Sequence, residues 1–451
     1  MPTTRLFVIS LLLLLLPACA VFNQDIPDTV AEQATQPAAL PTLEPTAAAD
    51  AAGTPEATHT ALAVKTPEST TSEIAVLPEP VLFDVAWDDR ESFRAGLIVT
   101  EQGVLDSLPG ASIYHLDLTI DEPTVVSGQM QVRYTNQEDM PLEEIYFHLF
   151  PNKLGGSITI ADVTVNGQAV QSHIQQDALW VPLETALDPG QAVVVQMDFT
   201  TTVPLKDEST KYSVLAFDED ILALPHFYPM IAAHDDQGWH IEPAPPQGDE
   251  TYADMSYYLV RLTAPAEQVV VANGVETDRS ETGSTQTVTF AAGPMRDFYL
   301  AMSDRFAVVS GNAGPVRINS YAPQELQDGA QFALDVAINA LNSFNERFGP
   351  YPYSELDIVS TPVLALGVEY PGLFVNAIRI YDLGDTYASG VPNPVMLEST
   401  TAHEVAHQWF YNLVGNDQLN EPWLDEATAQ YATWMYYVDQ YGELYARGLS
   451  L

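Results

Sequence analysis

Period-two alternation of apolar and polar residues marks the first half of the globular sequence, and periods of three to four mark the last third. Ser112-Ile-Tyr-His-Leu-Asp-Leu-Thr-Ile120 alternates, as does Val125 to Tyr134, and Val193 to Phe199 reads as a short strand. Asn166-Gly167 and Asn273-Gly274 lie between apolar runs and predict hairpin turns. A short helix is expected over Asp88 to Val99, and residues 81–313 otherwise predict an antiparallel β domain. From residue 314 the pattern lengthens into an α+β domain that runs to residue 451. Pro323 to Phe348, with Phe332, Val336, Leu341 and Phe344 apolar, predicts a long helix ended by Gly349-Pro350. Leu356 to Ser360 predicts a strand. Asn393-Pro394 supplies an N-cap and a first helical position for a helix over Val395 to Val414, with Gly415 as its stop. Asn420-Glu421-Pro422 opens another, Trp423 to Tyr441. The connection Gly415 to Glu421 is short enough to fold this second helix back on the first. Trp434, Tyr437 and Tyr441 read as its packing stripe.

The chain begins differently. Residues 1–19 read as a signal peptide, with Arg5 as the basic residue and Leu6 to Leu16 as an apolar stretch too short to span a bilayer as a helix. Leu16-Pro17-Ala18-Cys19 resembles a bacterial lipobox, which implies lipidation at Cys19, the chain's one cysteine. Ala18-Cys19-Ala20 also fits ordinary secretion, but a lone free thiol in an exported protein favours the anchor. The expectation is a lipoprotein on the extracellular side of the cell membrane, with simple secretion as the alternative. Residues 20–80, rich in Ala, Thr, Pro and Glu, lack the bulky apolar residues a core needs and read as a disordered tether.

A net charge of −45 argues against nucleic acid and against electrostatic docking on anionic lipid. It favours cationic peptide partners, although solubility alone explains such a charge at least as well. Nothing in the sequence indicates an oligomeric state.

The candidate chemistry sits at His403-Glu404-Val405-Ala406-His407. Histidines four apart share one helix face, so both imidazoles can hold one Zn²⁺ while Glu404 serves as a base. Glu426, after eighteen intervening residues, can complete a His₂Glu set that leaves a coordination position open, as catalytic zinc requires. The competing explanation is that Glu421, Asp425 and Glu426 merely complement a helix dipole. His226, His234 and His240 have spacings unsuited to a second metal site and read as loop or core histidines.

The stretch His403-Glu-Val-Ala-His-Gln-Trp409, followed by Trp423-Leu-Asp-Glu-Ala-Thr-Ala-Gln-Tyr431, resembles the M1 family of gluzincin metallopeptidases. Asp425 and Ala427 replace the family's usual Asn and Gly. The resemblance implies His403, His407 and Glu426 as ligands of one zinc, with Glu404 as general base. Gly367-Val368-Glu369-Tyr370 resembles the family's GxMEN segment, which implies substrate binding by Glu369 and Gly367 and recognition of a free amino terminus. Val368 and Tyr370 replace its Met and Asn, and Leu366 stands in place of its first Gly. Tyr114-His-Leu-Asp-Leu with Gly128-Gln-Met-Gln-Val resembles the family's saddle-like N-terminal sheet. Phe227-Tyr-Pro-Met230, Asp235 to Trp239, Gly248-Asp249 and Tyr257-Tyr258 resemble membrane-associated bacterial relatives.

The implied fold is a saddle-like β domain followed by a thermolysin-like zinc-peptidase domain. The family's oxyanion-stabilising Tyr lies several dozen residues after the third ligand. Only 25 residues follow Glu426 here, so a truncated, incomplete catalytic domain is expected, with that Tyr beyond Leu451. The expected function is zinc-dependent removal of N-terminal residues from peptides. The alternatives are a gluzincin without aminopeptidase specificity and a non-catalytic surface-binding lipoprotein.

Overall fold

The alternating segments pair into an eight-stranded sheet in this computed structural model, which describes residues 77–175, 177–206, 212–242, 251–388 and 390–449. The signal peptide, Cys19, the tether up to residue 76 and Gly248-Asp249 lie outside the described residues. The strands run in the spatial order Val275–Thr282, Thr285–Met295, Ser256–Pro265, Ser112–Glu122, Val125–Thr135, Ala192–Thr202, Ser157–Val165 and Gln168–Ala169. Register follows the apolar positions. Leu116 and Leu118 face Met130 and Gly128 on one side and Val260 and Leu262 on the other, and these leucines are fully buried. The expected antiparallel pairing holds at every seam of this sheet except that between Ser112–Glu122 and Ser256–Pro265, which is parallel. A parallel pair needs a crossover, and the long intervening segment supplies it with two four-stranded sheets built largely from its own strands. The expected helix near Asp88 is a single 3-10 segment, Glu91–Gly96.

The later residues form a five-stranded sheet in the order Phe306–Ala313, Val316–Pro323, Glu355–Thr361, Leu373–Ala377, Gly367–Tyr370. Helix α1, Gln327–Phe348, crosses between the parallel strands Val316–Pro323 and Glu355–Thr361 and buries Leu334, Ala337, Leu341 and Phe344. Helices α2, Asn393–Ala406, and α3, Trp423–Tyr441, pack beside it, followed by α4, Glu443–Leu449. Gly367–Tyr370 is the edge strand, and α2 packs against it. Of the expected stripe on α3, Tyr437 is buried and Trp434 half-buried, but Tyr441 is exposed and donates its hydroxyl to Glu398.

Two boundary expectations are corrected. Asn393 does not cap α2 with its side chain. Its amide donates instead to the carbonyls of Arg379 and Asp382, fastening the helix start to the preceding loop. The helix also stops at Ala406, well before Gly415. Gln408 and Trp409 are drawn into contacts outside the helix, and Tyr411 takes a φ of +103°, which no helix accommodates. Local propensity gives no warning of this, because the competing bonds come from residues distant in sequence.

Candidate metal centre and active site

The last turn of α2 carries His403 and Glu404, with His407 directly after it as the C-cap. The first turn of α3 carries Glu426. The Nε2 atoms of His403 and His407 are 3.0 Å apart, and Glu426 Oε2 is 3.3 Å from His403 Nε2. One donor atom from each of the three residues lies within 4.8 Å of the others. The helix-dipole explanation of Glu426 does not require this convergence. His407 Nδ1 lies 3.0 Å from the Phe410 carbonyl, so its N–H donates there and the Nε2 lone pair points to the common centre. Burial, with the neighbouring His403 adding to it, lowers the His407 pKa to about 4 and keeps the ring in the neutral, metal-binding form.

The donor set fits zinc. Two imidazole nitrogens and a carboxylate are borderline ligands, and a tetrahedral ion with bonds of ~2.0–2.1 Å spaces its ligand atoms by roughly 3.3 Å. That is close to the separations seen here.

Glu404 is buried and faces the edge strand, where Gly367 provides its seat. A Cβ added to Gly367 would lie 2.6 Å from Glu404 Cδ and 2.8 Å from Cγ. Gly367 therefore leaves room for the Glu404 carboxylate, a role distinct from the substrate contact that the GxMEN resemblance implies. Two residues on, Glu369 is also buried, and carboxylate oxygens of Glu369 and Glu404 and a ring nitrogen of His407 fall within 4.8 Å of one another. Glu369 is thus part of the same centre, buried although it lies on the edge strand.

Several residues to which the sequence assigned no role complete the surroundings. Gln408 donates to the Tyr370 carbonyl and accepts from Gly372 N–H, so the residue after the second histidine splints the edge strand. Trp409 donates to the Gly349 carbonyl and packs on Phe344, Phe348 and Tyr351. Arg296 of the β region donates to the carbonyls of Asn412 and Ala253, and Asn412 Nδ2 donates to the Tyr353 hydroxyl, which itself donates to the Pro294 carbonyl, so Asn412 in the loop after α2 is held at both its backbone and its side chain. Only Gln408 and Trp409 had a sequence signal, since they directly extend the HExxH run. Tyr436 joins Tyr441 in donating to Glu398, so these α3 hydroxyls are committed away from the metal ligands. The Tyr411 hydroxyl is pushed far up in pKa by burial and by the charges of Asp297 and Glu369. His226, His234 and His240 do not converge on a centre. They pair separately with Asp297, Glu138 and Asp235.

An HExxH helix end, a third donor residue from the next helix and an edge strand bearing a further acid form one candidate metal centre. Comparison with known proteins agrees. Residues 332–448 match the peptidase family M1 domain. Aminopeptidase M1-D of Oryza sativa subsp. japonica is 33% identical over 188 residues, which is 40% of this chain and 21% of that protein. Aminopeptidase N of Acetobacter pasteurianus is 29% identical over 186 residues, covering 40% of this chain and 51% of that one. The matched stretch thus spans about a fifth to a half of these curated relatives. The crystal structure of an M1 zinc metallopeptidase from Deinococcus radiodurans superposes with a TM-score of 0.53 at 21% identity, over 75% of this chain and 74% of that one. The two-part architecture, β-rich first and then sheet with helices, is that of the solved M1 structures.

Proposed function

We propose that this protein is a zinc metallopeptidase that removes N-terminal residues from peptides. The observation that carries the reading is the convergence of His403, His407 and Glu426 on one point, with the buried carboxylates of Glu404 and Glu369 beside it. The aminopeptidase names of the relatives that match the same region support it.

When bound, Zn²⁺ supplies a Lewis acid for the scissile carbonyl and makes water more acidic. His403, His407 and Glu426 hold it. Glu404, seated against Gly367, takes the proton from the attacking water and delivers it to the leaving amine. Glu369 receives the substrate's α-ammonium, which carries charge at neutral pH. This pairing places the first peptide bond at the centre and confines cleavage to chain ends.

The leader sequence, the lone Cys19 and the Pro- and Thr-rich segment after it support export and a lipid anchor, with the active site facing outward. The altered residues Val368 and Tyr370 around Glu369 favour, as a second reading, a gluzincin with other specificity.

Zinc-loaded protein is expected to cleave a free-amine peptide much faster than its N-acetylated twin, and Glu404→Gln is expected to lose at least about 10²-fold in rate while retaining zinc. Equal cleavage of the twins would reject the aminopeptidase assignment. Undiminished hydrolysis by a zinc-replete Glu404→Gln variant would reject the mechanism.

A further inference from the structure

Glu369 is not left to orient itself. Gln418, in the connection between α2 and α3, is buried and presents its carboxamide to three side chains. Its Nε2 donates to Glu369 Oε1 at 3.1 Å and to Asp425 Oδ2 at 2.7 Å, while its Oε1 accepts from the Thr251 hydroxyl at 3.2 Å. The amide can take only one orientation here, since both carboxylates accept and only the hydroxyl can donate. Asp425 is pinned in turn at its other oxygen by Asn416 Nδ2, 2.9 Å away. Asp425 directly precedes Glu426, so one amide joins the edge strand, the helix of the third ligand and the β region.

We propose that Gln418 is a positioning residue for amino-terminus recognition, holding the Glu369 carboxylate in the orientation that receives the substrate ammonium. The inference rests on the reading of Glu369 as the ammonium acceptor. Three observations carry it. Gln418 meets Glu369 with a charge-assisted hydrogen bond, the stronger class, in a site screened from water. Both of its amide hydrogens are spent on carboxylate oxygens, so it orients both acids without bringing a positive charge to the subsite. An ionised carboxylate offers about four acceptor positions, so one fixed bond to Gln418 leaves capacity for a substrate. Asp425 completes the device. At a position where the related motif has Asn, this chain adds a second buried carboxylate, and Gln418 separates it from Glu369 with a donor aimed at each.

The test compares hydrolysis of a free-amine dipeptide substrate with that of its desamino analogue, which lacks only the α-ammonium, in wild type, Gln418→Leu, Glu369→Gln and the double variant. Zinc content is measured in each. Wild type is expected to prefer the free amine. Gln418→Leu is expected to raise KM for the free-amine substrate by roughly tenfold or more, the weight of one hydrogen bond to a charged group, with zinc content unchanged and the desamino analogue far less affected. In the Glu369→Gln background the same change is expected to add little, because Gln418 acts through Glu369. Equal losses on both substrates, or losses that multiply in the double variant, would overturn the proposal, since either outcome marks a purely structural residue. If Gln418→Leu does not fold, Thr251→Val releases the other end of the amide and is expected to shift KM in the same direction by less. An unchanged substrate preference in that variant would count against the proposal. A wild type indifferent to the α-ammonium removes the underlying reading and this inference together; a retained preference untouched by Gln418→Leu removes the inference alone.

Discussion

Replacing Gly367 with Ala adds a single methyl at the most crowded point of the centre. Gly367 lies in a strand and outside the positive-φ region that favours glycine, so alanine meets no backbone strain there and the effect is purely steric. The new Cβ would lie 2.6 Å from Glu404 Cδ, against an ordinary carbon–carbon separation of about 3.5–4.0 Å. Strand or carboxylate must therefore yield by about 1 Å. The strand is poorly placed to do so, since Gln408 holds Tyr370 and Gly372 behind it. The carboxylate is therefore the part expected to move, away from the place in which the proposed mechanism has it deprotonate water. A displacement near 1 Å in such a position costs about 10²-fold in rate. Overpacking at a buried site costs about 1–3 kcal/mol in stability. The assay is kcat at saturating peptide, measured with zinc stoichiometry and thermal unfolding on the same preparation. A kcat within about threefold of wild type, in a folded and zinc-replete variant, would refute the argument that Glu404 works from this seat.

Two further outcomes follow from the packing. His115 is buried against Trp87 and Phe83, and burial lowers its pKa from 6.5 to about 4. The unfolded chain therefore binds the proton more readily, so the stability His115 contributes is full above pH 6.5 and declines as pH falls towards 4. About 2 kcal/mol of it is expected to be lost between pH 7 and pH 5, read as a drop in the urea midpoint that His115→Phe diminishes. Trp409→Ala removes the ring held by Phe344, Phe348, Tyr351 and the Gly349 carbonyl. It is expected to cost about 3–5 kcal/mol in chemical denaturation and to lower zinc affinity by loosening the end of α2.

The division between what is readable in the chain and what is not follows the range of the interactions. His403 and His407 were legible because helical periodicity over five residues already places them on one face, and Glu404 because it completes the HExxH run. The alternation of Ser112 to Ile120 and Val125 to Tyr134 likewise predicts strands, since burying one sheet face imposes period two. Glu426 and Glu369 were legible only through spacing and resemblance. Their membership of the centre depends on the return of α3 and on the edge position of Gly367–Tyr370. The end of α2 at Ala406 was missed because its cause lies in Tyr370, Gly372 and Gly349, far away in sequence. The parallel seam between Ser112–Glu122 and Ser256–Pro265 was missed because alternation fixes which face a strand buries but not the direction of its partner. Gln418 read as part of a short connection. Its role rests on Thr251, Glu369 and Asp425, side chains that no local pattern links and that folding alone brings around one amide. Metal-binding chemistry was thus written in local periodicity, while the seat of Glu404 and the bond that holds Glu369 arise from contacts between remote segments.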